Sequence, residues 1–569
     1  MGVRGNMLLV LLILQGILAV RNLFQNPGLE STNGWTCLDC SGSLSSDKRS
    51  GSHSYHVTGR NHDFSGASQE VQVSGGHYYY FKVWVKIDNT ANGKWYHDVQ
   101  GQIDILHNNG QHEYQQVGET NYVFPGRWYL VGGDHYVAGN IKSIRFYVQI
   151  PEAGVNYHID DAQMDEVAYL SNFANEANQR IDNLRKANLA ISLSGSASPS
   201  GLQVEIQQTK SEFGWGSAVD ANMIVDGNKK AYQNFFYDIF EWAVLENAMK
   251  WPAIEGSKGN YNYDTPLRAV NSMESKGIIM RGHNIFWGGD FVPNWQKSMS
   301  GSQLRPELEK HIKGMVGHFK GKFRHWDVNN ENLHLHFYED KLRDQYITQW
   351  MFRETKKLDP SATCYLNDYN IIANSGSTMA YVDQAYWFKA SGVPLGGMGI
   401  QSHFGAYVDV SSVKRRLDEI AAVGLPVWIT ELDISEPDET KKAKKYEDLM
   451  RLYFSHPAVK GVMFWGFWDG RHWRPQAALA NGNNVTPNAA GRKVQELLKR
   501  TWRTNETHNI GHGQTVHIRA FKGSYKLLVR HNGHVIHTQN FSLGGHGNNL
   551  KINLSGSGSN PHVDHVLIG

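Results

Sequence analysis

The sequence predicts a multidomain chain: a jelly-roll-like β-sandwich, a (β/α)8 TIM barrel, and a small C-terminal β-rich domain. Three observations predict it. Residues 21–167 hold short aromatic and β-branched runs separated by Gly and Asn clusters, as in a sandwich. Between Phe213 and Trp502, apolar runs alternate with helical segments in eight units, as in a barrel. Beyond residue 503 the strand-like alternation returns. At about 100–200 residues per domain, 569 residues make three to five units, fewer if one is a barrel.

The first twenty residues read as a secretory signal. Arg4 gives the positive start, Met7 to Leu14 is an unbroken apolar run, and Ala19 is a small residue near a cleavage point. The run is too short for a comfortable membrane span, so a retained anchor is the weaker reading. The chain is therefore expected to be secreted and extracellular, with no membrane partner. Sequons at Asn484, Asn505, Asn540 and Asn553 fit a glycoprotein. In an oxidising compartment Cys37 and Cys40 could close a small disulfide. Cys364 sits in an apolar run and reads as a buried small hydrophobe. Net charge is +2, from 56 basic and 54 acidic residues, which gives no reason to expect a nucleic-acid partner. Charged residues at 19% and hydrophobics at 40% argue against global disorder. The 17 Trp and 26 Tyr lean toward surfaces that stack flat apolar faces, such as sugar rings.

The expected divisions are a signal at 1–20, a sandwich at 21–167, a helical and strand linker at 168–210, the barrel at 211–502, and a β-rich domain of unknown role at 503–569. In the sandwich, Tyr78 to Val85, Ile141 to Ile150 and Asn156 to Ile159 are strand-like. In the linker, Phe173, Ala177, Ile181 and Leu184 recur at helical spacing. Barrel strands are expected near 213–218, 243–248, 278–283, 324–329, 364–367, 397–402, 427–430 and 461–465. Leu304, Leu308, Ile312, Met315 and Phe319 form one face of an intervening helix. A doubly wound open sheet is the alternative; no G-x-G-x-x-G follows the first strand, which weakens its dinucleotide-binding version. In the tail, Asn532-Gly533 between two alternating runs is a hairpin signal. Nine of the 27 His lie in this tail. With no recurring ligand spacing, they read as surface residues before they read as metal ligands.

Reactive groups of a parallel barrel gather where strands end. Two expected strand ends carry a carboxylate directly after an apolar run: His325-Trp326-Asp327-Val328-Asn329-Asn330-Glu331 and Val427-Trp428-Ile429-Thr430-Glu431. By count they end strands four and seven. Two facing carboxylates are what glycosidic cleavage requires, one protonated to meet the leaving oxygen and one ionised.

These residues bring a known family into view. The region 175–502 resembles glycoside hydrolase family 10, the endo-1,4-β-xylanases. The resemblance rests on Phe213-Gly214-Trp215-Gly216-Ser217-Ala218, Glu246-Asn247-Ala248-Met249-Lys250-Trp251, Arg281-Gly282-His283, Trp326-Asp327-Val328 with Asn330-Glu331, and Leu366-Asn367-Asp368-Tyr369-Asn370. Further on come Gly399-Ile400-Gln401-Ser402-His403, Ile429-Thr430-Glu431-Leu432-Asp433, and Trp465-Gly466-Phe467-Trp468-Asp469 with Trp473. It implies a retaining enzyme with Glu331 as acid/base and Glu431 as nucleophile, supported by Asn330, His403 and Asp433. A retaining pair stands about 5–5.5 Å apart. It also implies sugar contacts at Glu246, Asn247, Lys250, His283, Trp287, Gln401, Trp465 and Trp473, and no cofactor for catalysis. Trp242, Trp251 and Trp326 are expected in the core or behind the site. Two departures stand out: Gly288 and Gly289 follow Trp287 where the family often has His, and Asn329 replaces an apolar residue. An opened site would admit β-1,4-glucan as well as xylan. The rival expectations are therefore an endo-β-1,4-glucanase or dual enzyme and, behind it, a non-catalytic polysaccharide-binding protein.

The N-terminal module resembles the carbohydrate-binding sandwiches of families 22 and 4/9. That likeness rests on Asn26-Pro27-Gly28-Leu29-Glu30, Gly34-Trp35, Val57-Thr58-Gly59-Arg60, Gln69 and Ile159-Asp160-Asp161. It implies a β-1,4-linked polysaccharide partner and a structural calcium, with Glu30 and Asp161 as candidate ligands.

Overall fold

Alternating side chains build the N-terminal sandwich. In the computed structural model residues 21–569 are described, and the expected signal at 1–20 lies outside them. One five-stranded antiparallel sheet runs Thr36–Leu38, Gly66–Val71, Ile141–Gln149, His97–His107, His112–Val123. The other runs Ser41–Ser45, Ser54–Thr58, Tyr157–Glu166, His77–Ile87, Tyr129–Val137. From His77–Ile87, the residues Tyr79, Phe81, Val83 and Val85 enter the core with Val57, Ile103 and Phe146, as the two-residue period of a strand dictates. On its other face Tyr80 is fully buried and Trp84 lies under the Arg49 guanidinium at 3.9 Å, so this strand is a poor sugar platform. Cys37 and Cys40 are bonded to each other.

The calcium expectation meets a different donor set. Glu30 accepts from the backbone N–H groups of Ser52 and His53 at 2.7 and 3.1 Å. Asp161 accepts from the Arg49 guanidinium and from Ser50 Oγ, at 2.5 and 2.7 Å. Calcium needs several converging oxygens, whereas hydrogen-bond donors, one of them cationic, face these two carboxylates. As placed, they do not fit a calcium ion.

The barrel closes as eight parallel strands: β1 (Gly214–Val219), β2 (Trp242–Leu245), β3 (Ile279–Trp287), β4 (Phe323–Asn330), β5 (Thr363–Asp368), β6 (Gly397–Phe404), β7 (Val427–Ile434) and β8 (Val459–Phe464). β8 returns to pair with β1. All eight fall close to where the sequence predicts them; β7 and β8 are mostly apolar runs buried on both faces, whereas β3 and β4 also bury Arg281, His283 and Asp327. The helix Gly301–Phe319 buries Leu304, Leu308, Ile312, Met315 and Phe319, and Ser300 with Gln303 closes a capping box at its start. Trp251 and Trp326 are buried, as expected, and Trp242 packs against a cluster of Ala218, Val244, Tyr365, Trp428 and Met463. Cys364 is buried in β5, which pushes its thiol up to about 12.

The segments expected to be a linker and a separate terminal domain share one fold. Strands Lys186–Gly195 and Leu202–Ser211 precede the barrel in sequence, yet each is paired on both sides by strands that follow it. One sheet runs Thr515–Phe521, Lys186–Gly195, Asn548–Ser557, Asn560–Ile568; the other runs Asn505–Asn509, Leu202–Ser211, Gly523–His531, His534–Leu543. Ile191, Leu193, Val204 and Ile206 share a core with Leu527, Val529, Leu550 and Ile552. The expected turn at Asn532-Gly533 joins Gly523–His531 to His534–Leu543, with both residues at positive φ (49° and 84°), as a two-residue hairpin loop requires. The helix Phe173–Arg185 buries Phe173, Ala177 and Ile181, but its last buried residue is Arg185 rather than Leu184. The Arg185 guanidinium donates to the carbonyls of Phe454, His456 and Val459, each within 2.9 Å, which satisfies a buried charge.

Candidate active site

Glu331 directly follows β4, and Glu431 is the fifth residue of β7, toward its C-terminal end. Glu331 follows the last residue of its strand with φ at 58°, a left-handed conformation uncommon for a non-glycine residue. Its backbone N–H donates to the Asn367 carbonyl at the end of β5 (2.9 Å), which anchors that turn. Both carboxylate oxygens accept from neutral donors: the Trp287 indole N–H at 2.8 Å and the Gln401 amide at 3.0 Å. Burial, then the charges of Asp368 and Glu431, lift the Glu331 carboxyl to about 7 against those donors. A carboxyl of that acidity is half protonated at neutral pH.

Glu431 is held differently. Its Oε1 accepts from the Asn367 amide at 3.0 Å and its Oε2 from His403 Nε2 at 3.1 Å. The other imidazole nitrogen of His403 donates to Asp433 at 2.9 Å. Asp433, fully buried, also accepts from the Trp473 indole at 2.7 Å and from Arg474 at 2.6 Å. Burial opposes charge on His403, but Asp433 and then Glu431 outweigh it and raise the imidazole to about 9. His403 is thus an imidazolium between two carboxylates, so the donor facing Glu431 is cationic. Burial likewise opposes the charge of Asp433, while His403 and Arg474 hold it below the ordinary range.

The remaining expected residues converge on the same strand ends. Asn330 Oδ1 accepts from Asn367 at 2.9 Å, and its buried Nδ2 has no hydrogen-bond partner among the described residues. Lys250, after β2, donates to Asn247 Oδ1 at 2.7 Å, and its ammonium lies 4.9 Å from the Trp287 ring and 4.2 Å from the Phe291 ring. Burial lowers the Lys250 ammonium and raises the Glu246 carboxyl, each partly offset by the other's charge. His283, on β3, bonds Asp327 at 3.0 Å and meets the Trp465 ring edge-on at 5.1 Å. Trp465 is nearly buried, whereas Trp473 is 56% exposed. Hydrogen bonds join Trp287 and Gln401 to Glu331, and Asn330, His403, Asp433 and Trp473 to Glu431 directly or through one another and Asn367, whereas Lys250–Asn247 and His283–Asp327 are separate pairs and Trp465 meets His283 by ring contact.

The sequence reading assigned no role to Asn367, yet this side chain joins Asn330, Glu431 and Thr430 (Oγ1 to Oδ1, 2.5 Å). It ends an apolar run on β5, so the strand-end rule that found the two Glu also points to it. Asp368 is bonded to His334 at 2.7 Å and adds charge repulsion on Glu331. At the two departures, Leu335 stands beside Gly289 and Asn329 is bonded to Thr348. A Cβ on Gly289 would come within 2.6 Å of Leu335 Cδ1, so Leu335 fills that space. Asn329 turns away and donates to Thr348 at 2.8 Å.

Residues 21–154 match the description Carbohydrate binding domain, and residues 205–497 match Glycosyl hydrolase family 10. Among curated proteins, the anti-sigma-I factor RsgI6 of Acetivibrio thermocellus is 36% identical over 62% of this chain and 46% of its own length. Endo-1,4-beta-xylanase 2 of Arabidopsis thaliana is 34% identical over 71% of this chain and 38% of its own. The chain thus spans about half the length of these relatives or less. The solved structure of xylanase 10B from Thermotoga petrophila with xylobiose is 27% identical over 51% of this chain and 95% of that one, with a TM-score of 0.48. The matched stretch takes in just over half of the sequence and both strands that end in the carboxylates, and on that ground the chain belongs to glycosyl hydrolase family 10.

Proposed function

We propose that the chain is a secreted endo-1,4-β-xylanase that retains anomeric configuration. The observation that carries this reading is the unequal setting of two carboxylates at the C-terminal ends of β4 and β7: Glu331 lifted to about 7 among neutral donors, Glu431 bonded to an imidazolium. Glu331 gives its proton to the glycosidic oxygen as Glu431 attacks the anomeric carbon. The bond to the leaving chain breaks and an ester to Glu431 forms. Glu431 then no longer carries the charge that helps raise Glu331, so Glu331 becomes a stronger acid whose conjugate base takes a proton from water. The water oxygen attacks the same carbon, Glu431 leaves as carboxylate, and both residues return to their starting states.

The other residues serve as guides for the sugar. The unpartnered Nδ2 of Asn330 donates to a sugar hydroxyl beside the reacting carbon. Glu246, Asn247, Lys250, His283 and Gln401 supply polar contacts, and Trp287, Trp465 and Trp473 supply ring faces. The N-terminal sandwich grips the same polymer. On the side of its His97–His107 sheet away from the core, Gln102 and Asp104 stand opposite Tyr147 and Arg145, a largely recessed set of hydrogen-bonding groups beside a ring, as glycan sites use. Export is supported by the apolar run after Arg4 and by the Cys37–Cys40 bond. Sequon residues Asn484, Asn505 and Asn540 are exposed, as glycan acceptors must be. Xylan is proposed over glucan because curated relatives carry that activity in their names. Reducing-sugar release from purified xylan and from carboxymethyl-cellulose tests it: release from xylan alone is expected, and equal rates on both would contradict the preference.

A further inference from the structure

On the outward face of the N-terminal sandwich, His56, Asp88 and His158 come together far from the two carboxylates in sequence. His56 Nε2 lies 2.8 Å from Asp88 Oδ2, and His158 Nε2 lies 3.2 Å from Asp88 Oδ1. The two imidazoles stack with centroids 4.1 Å apart and planes 6° from parallel.

The hydrogen bonds behind His158 settle its tautomer. Ser54 Oγ donates its only proton to the Asp47 carbonyl at 2.5 Å. It is therefore an acceptor toward His158 Nδ1 at 3.1 Å, and the ring proton sits on Nδ1. The Nε2 of the neutral ring then turns a lone pair toward a carboxylate oxygen. Two lone pairs at that distance call for a cation between them. One shared proton would answer His158 alone, but a second imidazole converges on the same carboxylate. The nearby Lys86 ammonium is bonded to the Asp47 carboxylate and does not enter the gap.

We propose that His56, His158 and Asp88 bind one divalent transition-metal ion of the zinc class, with water in the remaining positions. Two imidazole nitrogens and a carboxylate oxygen suit zinc and its first-row neighbours and do not suit calcium or magnesium, which take oxygen ligands. The Nδ1–H of His158 bonded to Ser54 is the supporting contact such ligands usually carry. The ligand atoms lie within 4.8 Å of one another. Ligand distances of about 2.0–2.2 Å require the two rings to tilt toward a common point, and His56, at 28% side-chain exposure, has room to do so.

The test is calorimetric titration of the full chain with Zn2+, beside His56→Gln and Asp88→Asn. Because the chain carries other histidines, the reading is a difference. The parent is expected to bind one more equivalent than either variant, or to bind it at least about tenfold more tightly, with no such difference for Mg2+ or Ca2+. Equal stoichiometry and affinity in parent and variants would overturn the proposal, as would the same difference with Ca2+. If a variant fails to fold by far-UV spectroscopy, parent crystals grown with Zn2+ decide. An anomalous peak among His56, His158 and Asp88 supports the site; a peak elsewhere or none, with the gap holding only a shared proton, overturns it.

Discussion

Glu331 and Glu431 belong to strands β4 and β7 of one barrel, yet they keep opposite company. The donors to Glu331 are an indole and an amide, both neutral, and burial dominates, so the carboxyl rises to about 7. Glu431 is the more enclosed of the two, at 4% exposure, but one of its donors is the His403 imidazolium, held charged by Asp433. The difference shows that burial alone does not set a carboxylate's role; the charge on its hydrogen-bond donors does.

Each prediction strains that contrast. The largest effect is expected for Glu431→Ala: loss of xylan hydrolysis by roughly 10⁴–10⁶-fold, the range for removing a nucleophile, with polysaccharide binding retained in a pull-down. Glu331→Ala comes next. Loss of acid/base catalysis costs about 10²–10⁴-fold on xylan, and much less on an aryl xyloside whose leaving group needs no proton. Asp433→Asn weakens the hold on the His403 proton and is expected to lower kcat by about 10–100-fold. Asp368→Asn removes a charge that raises Glu331, so the alkaline limb of kcat/KM, near pH 7 in the parent, moves to lower pH. The smallest effect is on stability. His403 is raised in the folded state, so its stabilisation is complete below an unfolded value of about 6.5 and is lost as pH rises through about 9. Thermal melting of the parent is expected to fall across that window, and to fall less in Asp433→Asn.

Strands such as β7 were legible because they are apolar runs long enough to be buried on both faces, and Glu431 was legible because it interrupts such a run; β4, Phe323-Arg324-His325-Trp326-Asp327-Val328-Asn329-Asn330, is mixed, so Glu331 was legible through its place at an expected strand end and its motif. The pairing of Lys186–Gly195 with Thr515–Phe521 was not. Its period-two alternation at Ala187, Leu189, Ile191 and Leu193 marks a strand, but nothing local says that Leu189 faces Ile518 across the whole barrel sequence. Arg185 was illegible for a related reason: its partners are backbone carbonyls near residue 456, which leave no mark in side-chain chemistry. The hold on Glu431 was partly readable through His403 and Asp433. The bridging amide of Asn367 required the geometry, since an Asn at a strand end has many partners open to it.

Treatment with a 2-fluoro xylobioside bearing a good leaving group, followed by peptide mass spectrometry, tests the division of labour most directly. A covalent sugar on Glu431, absent in Glu431→Ala, is the expected result. A label on Glu331, or release of product with inverted configuration and no adduct at all, would contradict it.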